Sequence, residues 1–275
     1  MSKKIIPLVL TVLVVSASLL FFYDSFMEKP LAKKKFPNQR EVNGEWIRYD
    51  LVDPEMAPQA LYSEVMRGYH IVLNTRQILP EYVDDRLSCS NCHIAAGNTL
   101  GGKEGGISLV GVVKVYPQFS NRDGKEIDLI DRINNCFERS MNGKPLPRHS
   151  SDMQAIIAYL EWISSNIPDR KNYPWLGLKI FKNEHQPDPK QGALIYAQNC
   201  ALCHQLDGGG TFNNPPVWGP HSFNDGAGMS TLPMLSAFIY ENMPYENPFL
   251  TQEQALDVGA YLIEQRRPKF INETN

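Results

Sequence analysis

The chain has 275 residues, and its 27 Lys and Arg against 30 Asp and Glu leave a formal charge of −3. That length holds two medium domains, and the slightly acidic balance excludes nucleic acid as a partner. With 43% hydrophobic and 21% charged residues, most of the chain can bury a core rather than stay disordered.

Lys3 and Lys4 precede Ile5 to Tyr23, 19 residues without a charge. As a helix this run reaches about 28 Å, close to the hydrocarbon thickness of a bilayer. It is longer than the apolar stretch of a secretory signal and ends in Leu19-Leu20-Phe21-Phe22-Tyr23. Residues 1–24 are therefore expected to be an uncleaved membrane anchor, with a cleaved signal peptide as the alternative. Both place the rest of the chain in the periplasm. Residues 25–58, with Pro30, Pro37, Pro54 and Pro58, read as a tether and irregular lead-in.

The remainder divides into two related halves, 59–170 and 189–275. Ala60, Leu61, Val65, Met66, Tyr69 and Val72 recur at helical spacing ahead of Cys89-Ser-Asn-Cys92-His93. Leu194, Ile195 and Ala197 do the same ahead of Cys200-Ala-Leu-Cys203-His204. Each half also has a predicted closing helix, opened by Ser151-Asp152 and by Thr251, with Ala-Tyr-Leu at 158–160 and again at 260–262. Pro174 and Pro187 lie in the linker between the halves, 171–188, and Pro168 and Pro189 flank it.

Cys-x-x-Cys-His admits a redox dithiol, half of a zinc site, or covalent haem c attachment. A thioredoxin-like dithiol needs βαβ surroundings that the pattern lacks, and a zinc site shared by both pairs leaves the His after each pair unexplained. Two thiols three positions apart reach both vinyl groups of one porphyrin, and the adjacent His takes the proximal position. Two covalently bound haem c groups are thus expected, at Cys89/Cys92 and Cys200/Cys203, with His93 and His204 as iron ligands. The expected fold is mainly α, with two cytochrome c-like haem domains in tandem behind the N-terminal anchor or signal.

In the second half the distal ligand is expected from the loop before the closing helix, where Met243 lies 8 residues ahead of Thr251. Met229, Met234 and His221 are its rivals, the two methionines reading more simply as packing. In the first half the repeat aligns Met141 with Met243, yet Cys136, the one Cys outside the attachment motifs, lies in the same segment. If Asp131 to Met141 is helical, Arg132, Cys136 and Ser140 share a face and Met141 points about 140° away from Cys136. Only one of the two can face the iron, and a lone Cys is by default an inert buried thiol.

The stretch Tyr116-Pro-Gln-Phe-Ser-Asn-Arg122-Asp-Gly124, followed by Ile130-Asp-Arg132-Ile-Asn-Asn-Cys136-Phe-Glu-Arg-Ser-Met-Asn-Gly143, resembles the dihaem thiosulfate dehydrogenases. So do Gly219-Pro-x-Ser222-Phe-Asn-x-Gly226-Ala-Gly-Met229 and Asn242-Met243-Pro244, and the resemblance covers nearly everything from residue 60 on. It implies His93 and Cys136 as axial ligands of the first haem, His204 and Met243 of the second, and Arg122 and Arg132 beside the Cys-ligated haem. It therefore selects Cys136 over Met141, against the repeat alignment. Some family members carry a Lys next to the distal Met, where Asn242 stands here.

The function this resemblance implies is the joining of two thiosulfates into tetrathionate, with two electrons passed to a small c-type cytochrome or another periplasmic acceptor. A dianion needs fixed positive charge, which Arg supplies as a protonated planar fork. A haem propionate partner or a surface ion pair is the plainer role for either Arg, and Gln118 and Ser140 are weaker polar candidates. A Cys thiolate lowers the potential of its iron, which favours the reverse reaction as well. The competing class is a non-catalytic dihaem electron carrier in which Cys136 is merely buried. Gly97 to Gly111 lacks the phosphate-loop pattern and reads as a loop near the haem.

Overall fold

The structure is a computed structural model that describes residues 38–271 apart from 43, 84–85 and 170–171. The expected anchor, 1–24, lies outside the described residues. Among these residues, no helix is long and apolar enough to cross a membrane.

Helices of seven or more residues carry the described chain: α1 (Tyr62–Leu73), α2 (Leu129–Asn135), α3 (Ser151–Ile163), α4 (Pro189–Asn199), α5 (Leu232–Asn242) and α6 (Gln252–Ile263). The closing helices start where polar side chains can satisfy unpaired amides. Ser150, one residue ahead of the expected start, accepts from Met153 N, and Thr251 forms a reciprocal capping box with Gln254.

Each half is built on one crossing of its opening and closing helices. A Cβ on Gly68 would stand 1.9 Å from the Ala155 carbonyl oxygen and 2.7 Å from Tyr159 Cβ. One on Gly192 would stand 2.0 Å from the Asp257 carbonyl oxygen and 3.0 Å from Tyr261 Cβ. Only glycine lets α1 approach α3, and α4 approach α6, so closely. Tyr159 and Tyr261 are the central residues of the two Ala-Tyr-Leu repeats, so the duplication is visible in the backbone. Ile71, Phe137, Met153 and Leu160 lie in the first core, and Trp218, Leu235, Phe238 and Val258 in the second.

Two short hairpins depart from the helical expectation. The lead-in folds as β1 (Gln39–Val42) against β2 (Glu45–Arg48), and β3 (Gln118–Ser120) pairs antiparallel with β4 (Lys125–Ile127) across a turn holding Arg122. Strands of three or four residues are too short to show an alternating pattern. The stretch read as a linker also takes part in packing: Trp175 is fully buried in the first core and donates Nε1 to the Val110 carbonyl at 2.8 Å. The halves meet along the glycine-rich loop, where Glu104 N donates to Glu241 O at 2.8 Å and Gly106 N to Asn242 Oδ1 at 2.8 Å.

Candidate active site

The first half and part of the linker form a half-open cavity of about 660 Å³, lined by residues that include His93, Ile107, Tyr116, Arg132 and Cys136. That volume is in the range of cofactor and ligand pockets. Asp128 caps α2 by accepting from Asp131 N at 2.8 Å, and the helix carries Arg132 one turn before Cys136. At Cys136 the α-helix gives way to a single π turn, Cys136–Ser140, closed by the bond from Met141 N to Cys136 O at 2.9 Å. Such bulges recur at functional sites.

Arg132 Nη1 donates to Cys136 Sγ at 2.9 Å. Burial pushes the Cys136 thiol up, but the Arg132 guanidinium and the His93 imidazole outweigh it and bring the pKa down to about 6. Arg132 in turn is held charged by Cys136, against the effect of burial and with help from Tyr116. Met141 lies elsewhere: it is buried in the first core, with Sδ 3.9 Å from Cys89 Sγ. Gln118 lines the cavity, and Ser140, at the end of the π turn, is not among the residues that line it.

Arg122 stands at the flank, exposed at the tip of the β3–β4 hairpin, with Nη1 donating to Gly226 O at 3.0 Å. Its pKa is lowered, first by burial of part of the side chain and then by the like charges of Arg132 and Arg139. Tyr116 lines the cavity and Asp123 and Arg139 brace the hairpin beside it, without being marked as such in the sequence. Tyr116 is a loop residue with no periodic signal, and the Asp123–Arg139 ion pair, at 2.8 Å, is made only when the hairpin folds back onto the π turn.

The donor sets fit haem c. His93 Nδ1 is 2.8 Å from Ile107 O, and His204 Nδ1 is 2.8 Å from Pro215 O. A carbonyl can only accept, so each Nδ1 carries a proton, and Nε2 is the nitrogen of the neutral ring that can ligate a metal. Burial lowers the His204 pKa, which favours the neutral ligand form. Burial also pushes Cys89 and Cys92 up to about 12 and Cys200 up to about 11, which suits sulfurs that end as neutral thioethers rather than thiolates. Among the described residues, no three His, Cys, Asp or Glu gather into a site for a metal ion, so the shared zinc site fails. In the second half Met229 is buried in the core, and Met243, at the end of α5, is partly buried against it.

Two helical halves, each with an attachment pair and a carbonyl-oriented histidine, define a c-type cytochrome with two covalently bound haem c groups. Residues 83–168 match the family described as SoxA/TsdA, cytochrome c domain, and residues 187–262 match cytochrome C oxidase, cbb3-type, subunit III. Over 222 residues the chain is 35% identical to the thiosulfate dehydrogenase of Allochromatium vinosum, covering 78% of this chain and 82% of the relative. It is 34% identical over 216 residues to that of Psychrobacter arcticus, covering 76% and 65%. A solved thiosulfate dehydrogenase (TsdBA) from Marichromatium purpuratum matches with a TM-score of 0.72 at 26% identity, over 78% of this chain and 48% of that one. The chain belongs to the thiosulfate dehydrogenase family.

Proposed function

We propose that this enzyme oxidises thiosulfate to tetrathionate at the cavity of its first half, 59–170. The second half, 189–275, delivers the electrons to a small c-type cytochrome. The observation that carries this reading is the Arg132–Cys136 contact of 2.9 Å in a cavity that also holds His93. Cys89, Cys92, His93 and Cys136 hold the first haem, and Cys200, Cys203, His204 and Met243 the second. Residues 1–24 tether the enzyme to the periplasmic face of the inner membrane.

Two thiosulfate dianions joined through their terminal sulfurs form one S–S bond and release two electrons, with no proton exchanged. When bound, the haems supply the redox chemistry, taking up these electrons and passing them on singly. The protein's part is to bring like charges together. Two dianions about 6 Å apart repel by roughly 11 kcal/mol at an effective dielectric constant of about 20. Arg132 and Arg122 offset this with fixed positive charge, and neither loses its proton near neutral pH. Arg132 has a second task, since the same guanidinium keeps the Cys136 sulfur anionic and available as a ligand.

The test is to mix the purified, oxidised protein with thiosulfate and no acceptor. Reduction of its haem absorbance within the turnover time is expected, whereas a protein that stays oxidised is a carrier and not the catalyst. Adding tetrathionate to the reduced protein reads the reverse direction in the same cuvette.

A further inference from the structure

We propose that the second half supplies the residue that positions Arg122 at the anion site of the first, and that this residue is Asn224. The inference rests on the thiosulfate reading of that site. Asn224 is only 2% exposed and belongs to the second half, yet it directs its donors to the first. Its backbone N–H donates to Arg139 O at 3.1 Å, and its Nδ2 donates to Glu138 O at 2.8 Å and to Asn142 Oδ1 at 3.0 Å. Glu138 and Arg139 lie in the π turn that starts at Cys136. Asn224 Oδ1 accepts from Gly226 N at 3.1 Å, shaping the bend whose Gly226 carbonyl receives Arg122 Nη1 at 3.0 Å. One buried side chain thus clamps the turn carrying Cys136 and the carbonyl holding Arg122.

The need for such a clamp is electrostatic. Arg122 feels the like charges of Arg132 and Arg139, and a free, exposed side chain would swing away into water. A backbone carbonyl holds it without neutralising it, unlike a carboxylate, so the charge stays available to an anion. The arrangement is braced from both sides. Asp123 accepts from Asn135 Nδ2 at 3.0 Å and Arg139 Nη2 at 2.8 Å, fixing the hairpin to α2 and the π turn. Asp225 accepts from Phe270 N at 2.7 Å, and the Phe270 ring lies 4.6 Å from the Arg139 guanidinium.

The experiment compares the haem-loaded full chain with Asn224→Ala, Arg122→Ala and the double variant. It measures steady-state kinetics and inhibition by sulfate, a dianion that is not oxidised. Asn224→Ala should raise KM for thiosulfate about fivefold to tenfold with a smaller change in kcat, and weaken sulfate inhibition by a similar factor. In the Arg122→Ala background the same substitution should change KM less than about twofold, because the group it positions is gone. An unchanged KM and sulfate inhibition in Asn224→Ala, or a full effect that persists without Arg122, would overturn the proposal. Should Arg122→Ala itself leave KM unchanged, the thiosulfate site is misassigned, which is a different failure. Phe270→Ala, on the outer side of the loop, covers the case in which Asn224→Ala fails to load haem: a raised KM supports the clamp and an unaltered one removes it.

Discussion

The guanidinium of Arg132 and the sulfur of Cys136 meet at 2.9 Å across a single helical turn, at the point where regular α-helix ends. Cation and sulfur hold each other charged, so neither should be replaceable without consequence for the other.

Replacing Cys136 with Met is expected to alter the low-spin visible spectrum of one haem and leave the other intact. Turnover should fall by at least about tenfold. An unaltered spectrum would return the first haem's distal position to Met141.

Arg132→Ala removes a charge-assisted hydrogen bond of about 1.5 to 3 kcal/mol, so kcat/KM for thiosulfate should drop at least about tenfold. Arg132→Lys should recover little of it, because the ammonium keeps the charge but lacks the planar fork that can hold sulfur and anion together. The check is steady-state kinetics after haem content is matched. Near-normal rates in both variants would leave Arg132 as a structural partner only.

Asp123 links the hairpin to the π turn. Burial pushes its pKa up, but bonds from Ser120, Arg139 and Asn135 outweigh this and depress it below the usual carboxylate value. A depressed folded pKa contributes stability that is present above the unfolded value, near 3.9, and is lost as pH falls through the folded one. Wild type should therefore be more stable than Asp123→Asn at pH 7, with the gap closing as the pH drops below about 4. Denaturant unfolding of both proteins across that range measures the difference, and a gap independent of pH would count against the paired carboxylate.

Gly192→Ala puts a methyl group 2.0 Å from the Asp257 carbonyl oxygen, so α4 and α6 must separate. Overpacking of this kind costs about 1 to 3 kcal/mol. A clear drop in Tm is expected, and Gly228→Ala, whose Cβ would come no nearer than 4.0 Å to any atom outside its chain neighbours, serves as the control.

The membrane tether is tested by sequencing the mature amino terminus. A chain that keeps residues 1–24 and sediments with membranes is expected, and a start near residue 25 would mean a released enzyme.

The helical frame was legible in the sequence because it rests on short-range signals. Helical spacing marked α1 and α4, and Thr251 and Ser151-Asp152 marked the closing helices to within one residue. The haem attachments were legible for the same reason, being five adjacent residues each. What carries the site was harder to read. Two three-residue strands offer no periodicity, and the π turn is imposed by the bond between Met141 and Cys136 and by packing against Asn224, a residue 88 positions after Cys136 in the chain. The choice between Cys136 and Met141 likewise needed more than spacing, since a helix drawn through both fits either assignment.

Asn242 is fully buried, accepting from Gly106 N at 2.8 Å and donating to Phe238 O at 3.1 Å. A lysine at this position, beside Met243, would bring an ammonium that can only donate to face an amide that also donates. The glycine loop would lose one of its holds on α5, keeping that of Glu104 N on Glu241 O. One residue further along that loop, the Ile107 carbonyl fixes the tautomer of His93 in the other half. On the ligand set proposed above, a change beside Met243 therefore reaches the loop that orients His93 in the other half, and this position couples the surroundings of the two haems.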